Sequence, residues 1–267
     1  MATQASRPAD NWQLGNPYER YVGRWSRRVA PEFLAWLDLP PGRRWLDVGC
    51  GTGALSAAIV ERCAPASVVG VEPSPGFLEV ARGSLPPQVA LGSGSASAIP
   101  LPDASVDAVV SGLVLNFVPD VDQALAEMRR VAAGGATIAA YVWDYAGRME
   151  LMRHFWDAAA ALDPAARELD EGGRFPLCHP DALAARFGTA GLRDVQVTAI
   201  DVPTPFASFQ DYWEPFLGGQ GPAPAYAMSL AEAARDRLRE RLRERLPVQA
   251  DGSIALVARA WGVRGRS

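Results

Sequence analysis

Asp47 opens a run in which three glycines, Gly49, Gly51 and Gly53, stand at alternate positions after an apolar segment. A second carboxylate, Glu72, closes the next apolar segment, about 20 residues past the loop, where a ribose-binding acid belongs. Glycine lets a backbone turn sharply and approach a ligand closely. The free N–H groups of a helix beginning at Ala54 favour a negative group nearby. Spacing alone leaves two ligands open. Gly49-x-Gly51-x-x-Ala54 fits the relaxed dinucleotide fingerprint, with Glu72 on the ribose. Two features favour a ligand with no phosphate at the loop. Asp47 would repel a pyrophosphate but could suit an ammonium, and Gly53 makes the glycines alternate rather than follow the dinucleotide spacing.

These residues need a scaffold, and the hydrophobic pattern supplies one. "RRWLDVG" and "SVVGVEP" read as strands, with a helix from Ala54 to Cys63 between them and another from about Pro75 to Leu85. "QVALGSG" is a weaker strand and "SVDAVVSGLVL" a strong one. Val121 to Ala133 carries one apolar face, and "GATIAAYVW" follows as a strand. This alternation predicts a mostly parallel sheet with helices on both faces. Its strands are continuous apolar runs, as strands buried on both sides should be. Residues 17 to 38 read as helical, with Pro31 forcing a break or a new start. In the second half, Met149 to Leu162, Asp181 to Ala190 and Ser229 to Leu246 read as helices. "DVQVTAIDV" and "SIALVARAWGV" are late strands suited to an antiparallel hairpin at the sheet edge.

"LDVGCGTG", "VVGVEPSPGFLEVAR" and "IPLPDASVDAVVSGLVLNFVPD" occur in that order. Together they resemble the motifs of class I S-adenosylmethionine-dependent methyltransferases, most strongly from Arg43 to Trp143. The resemblance implies a doubly wound, Rossmann-like α/β fold: a seven-stranded, mostly parallel sheet with a reversed last strand and helical substrate-side insertions. It implies one domain over residues 1–267, with a helical lid at 1–38, a cofactor-binding core at 43–145 and substrate-side helices at 146–250. The implied cofactor is S-adenosyl-L-methionine. Gly49, Gly51 and Gly53, with Cys50 among them, would line its methionine part, and Asp47 would sit near the ammonium. Glu72 would hold the ribose hydroxyls beside Pro73 and Ser74, and Phe77 would pack near the adenine. Asn116 and Phe117 would face the methionine end and the acceptor. Many relatives place an acid on the adenine amino group after the third strand. Here Ser95 stands there, followed by Ala96, and serine accepts such a bond without charge.

The acceptor side is less sharply marked. Trp143, Phe155, Trp213 and Phe216 are expected to wall a substrate pocket, with core packing as the competing explanation for each. Asp144, Tyr145 and His154 are candidates for a general base, needed only if the acceptor must lose a proton during attack. "NPYERYVGRWSRR" reads first as a lid placing Tyr21 and Arg24 on the cofactor, then as a docked helix, and last as an RNA-binding face. "RDRLRERLRERL" interleaves acids with its arginines, so it reads as a solvated face with one packed leucine stripe.

Composition removes other classes. The 267 residues are 49% hydrophobic and 21% charged, an ordinary globular balance. A net charge of −4 argues against nucleic acid as a partner. All 26 basic side chains are Arg; without Lys there is no Schiff-base lysine and no phosphate-loop lysine. That absence also counts against the alternative of an NAD(P)-dependent oxidoreductase, whose proton donor is commonly a Tyr–Lys pair. A non-catalytic S-adenosylmethionine-binding protein is the other alternative. Three scattered cysteines suit neither a metal site nor a disulfide framework, so a reduced cytoplasmic setting is expected. No segment reads as a signal peptide or a membrane span. The expected reaction is methyl transfer to a small-molecule acceptor by a monomer or homodimer, with no metal.

Overall fold

The computed structural model describes residues 22–218 and 221–267. Its strands are β1 (Arg44–Val48), β2 (Ser67–Glu72), β3 (Val89–Ser93), β4 (Val106–Gly112), β5 (Ala132–Trp143), β6 (Arg193–Phe206) and β7 (Ile254–Arg266). They form one sheet in the order β3-β2-β1-β4-β5-β7-β6. The strands from β1 to β5 pair in parallel, and β7 runs antiparallel to both β5 and β6. The late hairpin therefore exists, with the reversed strand inside it and β6 at the edge. The continuous apolar runs become the buried centre: Leu46, Val48, Val109, Val110 and Ile138 have no solvent exposure. Burying each such side chain stabilises the fold by about 1.5–3 kcal/mol.

The helices are α1 (Arg24–Leu37), α2 (Ala54–Arg62), α3 (Pro75–Ser84), α4 (Val121–Val131), α5 (Glu150–Leu162), α6 (Glu171–Arg174), α7 (Pro180–Thr189), α8 (Phe209–Trp213), α9 (Pro222–Ser229) and α10 (Glu232–Arg245). The β1-α2-β2-α3-β3 half winds one way from β1, and β4 starts the other half beside it. The order thus reverses between β1 and β4, and a doubly wound sheet opens its ligand crevice at such a point, beyond the carboxyl ends of the strands. The substrate-side helices arise from two excursions, one between β5 and β6 and the other between β6 and β7.

Two expectations from local sequence need correction. Pro31 does not break α1; the helix runs through it. Proline removes one backbone donor and crowds the preceding turn. Burial of Val29, Ala30, Phe33, Leu34 and Leu37 against the rest of the core holds the helix together across that defect. Strand β6 also extends past Val202 through Pro203 and Pro205 to Phe206, paired with β7. An edge strand tolerates the missing N–H groups because one side of its ladder faces no other strand.

Candidate active site

The chain leaves β1 through a loop whose three glycines all have positive φ: +72° at Gly49, +55° at Gly51 and +93° at Gly53. At Gly49 space is limiting too, since a Cβ would lie 2.7 Å from both γ-carbons of Val114. The loop is anchored to the neighbouring strand, where Gly49 and Cys50 both donate to the carbonyl of Val71, at 2.8 and 3.1 Å. Gly53 then caps α2. Cys50 is buried against Gly70, whose added Cβ would meet its sulfur at 2.9 Å. Burial raises its thiol pKa, and the charges of Asp47 and Glu72 raise it further. It is a filler of the loop, not a nucleophile.

Glu72 ends β2 beside this loop. Its Oε2 accepts from the Gly51 N–H at 3.1 Å, and its Oε1 accepts from the Ser74 N–H at 2.9 Å. Burial raises its pKa while these two bonds oppose the shift. Ser74 in turn caps α3 by accepting from the Phe77 N–H at 3.4 Å. Asp47 lies deeper, 1% exposed. Its Oδ2 accepts from the Ser56 hydroxyl at 2.7 Å. Its Oδ1 is enclosed with no hydrogen-bond partner among the described residues. Burial pushes its pKa up to about 7, the Ser56 bond acts against that, and the charge of Glu72 adds to it. A buried carboxylate oxygen without a donor is costly, and a cationic group in the cleft would satisfy it.

The cleft beside these residues has a volume of about 430 Å³. From the β1, β2 and β3 ends it is lined by Asp47, the Gly49–Thr52 loop, Glu72 to Ser74, Phe77, and Ser95 to Ser97. It is also lined by residues after β4 (Leu113, Val114, Phe117 to Pro119), of which Val114 lies against Gly49, by Tyr141, Trp143 and Tyr145 along and just beyond β5, and by Val22 and Ser26 at and just before the start of α1. Ser111 holds β4 to β1 at the cleft floor by donating to the Val48 carbonyl at 2.8 Å. Tyr141, Trp143 and Tyr145 stand two residues apart, the period that puts side chains on one face of a strand. That spacing was the available signal for Tyr141, which sequence reasoning passed over along with Val22, Ser26 and Val114.

Other candidates lie elsewhere. Arg24 does not line the cleft: it pairs with Asp211 Oδ1 at 2.9 Å, its guanidinium 4.3 Å from the ring of Trp25 and 4.8 Å from that of Phe206. Tyr21 lies outside the described residues. Of the expected lid at 1–38, residues 1–21 lie outside the described residues; the helix Arg24–Leu37 buries one face in the core, and Val22 and Ser26 line the cleft. Asn116 is half-buried behind the lining, its Nδ2 without a partner among the described residues. Asp144 is tied into its own turn, accepting from the Gly147 N–H at 3.0 Å and the Arg148 N–H at 2.9 Å. His154 sits on α5 away from this cleft, with burial lowering its pKa. Phe155, Trp213 and Phe216 do not line it either. They form an aromatic cluster in which Phe155 and Phe216 stack at 4.5 Å and Trp213 lies 6.1 Å from Phe216. Large rings bury more area against one another than against a solvated opening. Among the described residues no group of three His, Cys, Asp or Glu side chains could hold a metal, and no helix is long and apolar enough to cross a membrane.

Comparison with known proteins follows the same lines. Residues 46–140 match the methyltransferase-domain family. An uncharacterised methyltransferase of Mycobacterium tuberculosis is 43% identical over 127 residues, 48% of this chain and 49% of that protein. Malonyl-[acyl-carrier protein] O-methyltransferase of Serratia marcescens is 34% identical over 138 residues, 52% of this chain and 50% of that protein. The match thus spans about half the length of these curated relatives. The solved structure of Haemonchus contortus phosphoethanolamine N-methyltransferase 2, in complex with phosphomonomethylethanolamine and S-adenosylhomocysteine, superposes with a TM-score of 0.56 at 16% identity. It covers 94% of this chain and 56% of that one. At that identity the likeness is one of fold.

Proposed function

We propose that this chain, whose residues 46–140 match the methyltransferase-domain family, is a class I S-adenosylmethionine-dependent methyltransferase that transfers a methyl group from S-adenosylmethionine to a small-molecule acceptor in the cytoplasm. The observation that carries the reading is Asp47, a buried carboxylate among the residues that line the cleft, two residues before the glycine loop, with its Oδ1 lacking a partner among the described residues. A dinucleotide would bring its pyrophosphate to this loop, where Asp47 would repel it. An amino-acid ammonium is what this oxygen lacks.

The residues present fit the cofactor. Glu72 would accept from the ribose hydroxyls, its carboxylate already aimed by the Gly51 and Ser74 N–H groups. The bare backbone at Gly49 and Gly51 would border the methionine part, and Phe77 and Ser95 to Ser97 would enclose the base. When bound, S-adenosylmethionine supplies a methyl group on a cationic sulfur, ready for displacement by an acceptor lone pair. The protein's own contribution is alignment and exclusion of water, worth many orders of magnitude in rate when the reacting atoms are held in line. Of the three candidate bases, Tyr145 is the one that lines the cleft, with Tyr141 beside it. The three cysteines are free, which supports a reducing compartment.

Calorimetric titration with S-adenosylhomocysteine, NADH and NADPH tests this reading. S-adenosylhomocysteine alone should bind, and Glu72→Ala should abolish that binding. Heat from a dinucleotide and none from S-adenosylhomocysteine would overturn it in favour of an oxidoreductase.

A further inference from the structure

We propose that the acceptor half of the cleft is built for an uncharged, planar hydroxyaromatic compound. The proposal rests on the methyltransferase reading for the division of the cleft, and on the wall chemistry for the class of compound. The sheet order sets the division. Glu72 ends β2, Asp47 lies on β1, and Tyr141 and Trp143 lie on β5, three strands from β2. Neighbouring strands are about 4.8 Å apart, so Tyr141 stands roughly 14 Å across the sheet from Glu72. The ribose and the acceptor therefore belong to opposite ends.

Charge comes first. Among the described lining residues the only carboxylates are Asp47 and Glu72, both on the cofactor half, and none is Arg or His. Of the nearby guanidinium groups, Arg24 is paired with Asp211 and Arg153 with Asp170 and the Tyr145 carbonyl, while Arg174 lies over the outer ring of the wall, 5.3 Å from Phe175, and does not line the cleft. A carboxylate, phosphate or ammonium on the acceptor would lose its water here without gaining a counter-ion. Such an uncompensated ion is strongly disfavoured.

Shape and reactivity narrow the class. The Phe175 ring lies 5.1 Å from Phe117 and 5.6 Å from Tyr145, making a continuous aromatic wall behind the cleft. Arg153 fastens that wall by donating to the Tyr145 carbonyl at 2.9 Å while it holds Asp170 at 2.8 Å. A rigid aromatic wall rewards a flat ring, since offset or edge contacts between rings add to the gain from burial. With no histidine or carboxylate among the described residues of this half, the nucleophile releases its proton without help from either. A ring hydroxyl, with a pKa near 10 like that of tyrosine, does so far more readily than an aliphatic alcohol.

The test uses three probes of one shape, 2-naphthol, 2-naphthoate and 2-naphthylmethylammonium, titrated into the full chain saturated with S-adenosylhomocysteine. 2-Naphthol should bind at least tenfold more tightly than either ion. Val118→Arg, which puts a cation on this wall, should reverse the order and favour 2-naphthoate by tenfold or more. Equal or tighter binding of an ion to the wild-type protein would overturn the proposal; an arginine from residues 1–21 reaching the cleft would produce that result for the anion. So would binding of none of the three while S-adenosylhomocysteine binds. Failure of S-adenosylhomocysteine itself would overturn the methyltransferase reading instead, and the same three titrations into the unliganded protein would then decide this proposal alone.

Discussion

Asp47→Asn should stabilise the unliganded protein and weaken its ligand binding, and the two effects have one cause. Burial pushes the folded pKa of Asp47 up to about 7, from an ordinary 3.8. The folded state thus holds this proton more tightly than the unfolded state does. The stability so contributed is complete below about pH 4 and is lost as the pH rises through about 7. At about 1.36 kcal/mol for each pH unit, the rise from 3.8 to about 7 corresponds to ~4 kcal/mol above pH 7 as an upper bound. Asparagine carries no charge to desolvate and keeps an oxygen for the Ser56 hydroxyl. Its amide N–H groups would occupy the partnerless position, costing about 1–3 kcal/mol. The net expectation at pH 8 is a gain of roughly 1–3 kcal/mol, or about 2–10 °C in Tm for a chain of this size. At pH 5 the advantage should vanish or reverse. S-adenosylhomocysteine affinity should fall by roughly 10- to 150-fold, the loss of one charged hydrogen bond of about 1.5–3 kcal/mol. Thermal melts from pH 5 to 8.5 without ligand, paired with calorimetry, read both effects. A Tm difference that does not change with pH, or wild-type affinity in the variant, would refute the reasoning.

Four further outcomes are expected. Gly49→Ala must place a Cβ 2.7 Å from Val114 at φ +72°, so melts should show a loss of about 1–3 kcal/mol or more, and adding Val114→Ala should recover part of it. Ser95→Asp should tighten S-adenosylhomocysteine about fivefold in a titration, since a charged acceptor adds roughly 1 kcal/mol to a hydrogen bond. Phe155→Ala should cost about 3–5 kcal/mol in chemical denaturation yet leave S-adenosylhomocysteine affinity within twofold, because Phe155 is fully buried and off the cleft; a selective loss of affinity would restore it to the site. Glu171 is buried, accepts from the Trp156 indole N–H and has its pKa pushed up to about 7, chiefly by burial. Its folded pKa is raised, so the Tm of Glu171→Gln relative to wild type should climb as the pH passes through about 7.

The glycine loop and the placing of Glu72 beside it were legible in the sequence because their geometry is local. A loop that must bring bare backbone to a ligand needs glycine within a few residues of the strand end, and Glu72 needs only the length of one helix and one strand to return beside it. The acceptor half is assembled from distant pieces. Arg24 finds Asp211 across 187 positions, and no local pattern distinguishes that pair from a cofactor contact. Phe155, Trp213 and Phe216 have the composition of a pocket wall and of a core cluster alike; only packing chooses between them. Pro31 shows the same limit for secondary structure, since the break it favours locally is overridden by the buried face on either side. Two signals could have been used. Asp144 precedes Gly147 by three residues, the spacing of a carboxylate that caps its own turn. The alternation of Tyr141, Trp143 and Tyr145 marks one face of the strand that leads into the cleft.

The most direct measurement is a crystal structure of the full chain with S-adenosylhomocysteine. The expected map has the ribose hydroxyls on the Glu72 carboxylate, the amino group beside Asp47 Oδ1, and the sulfur directed toward the Tyr141 and Trp143 wall. Ligand bound outside this cleft, or lying in it with the amino group away from Asp47 and the ribose away from Glu72, would contradict the assignment of the site.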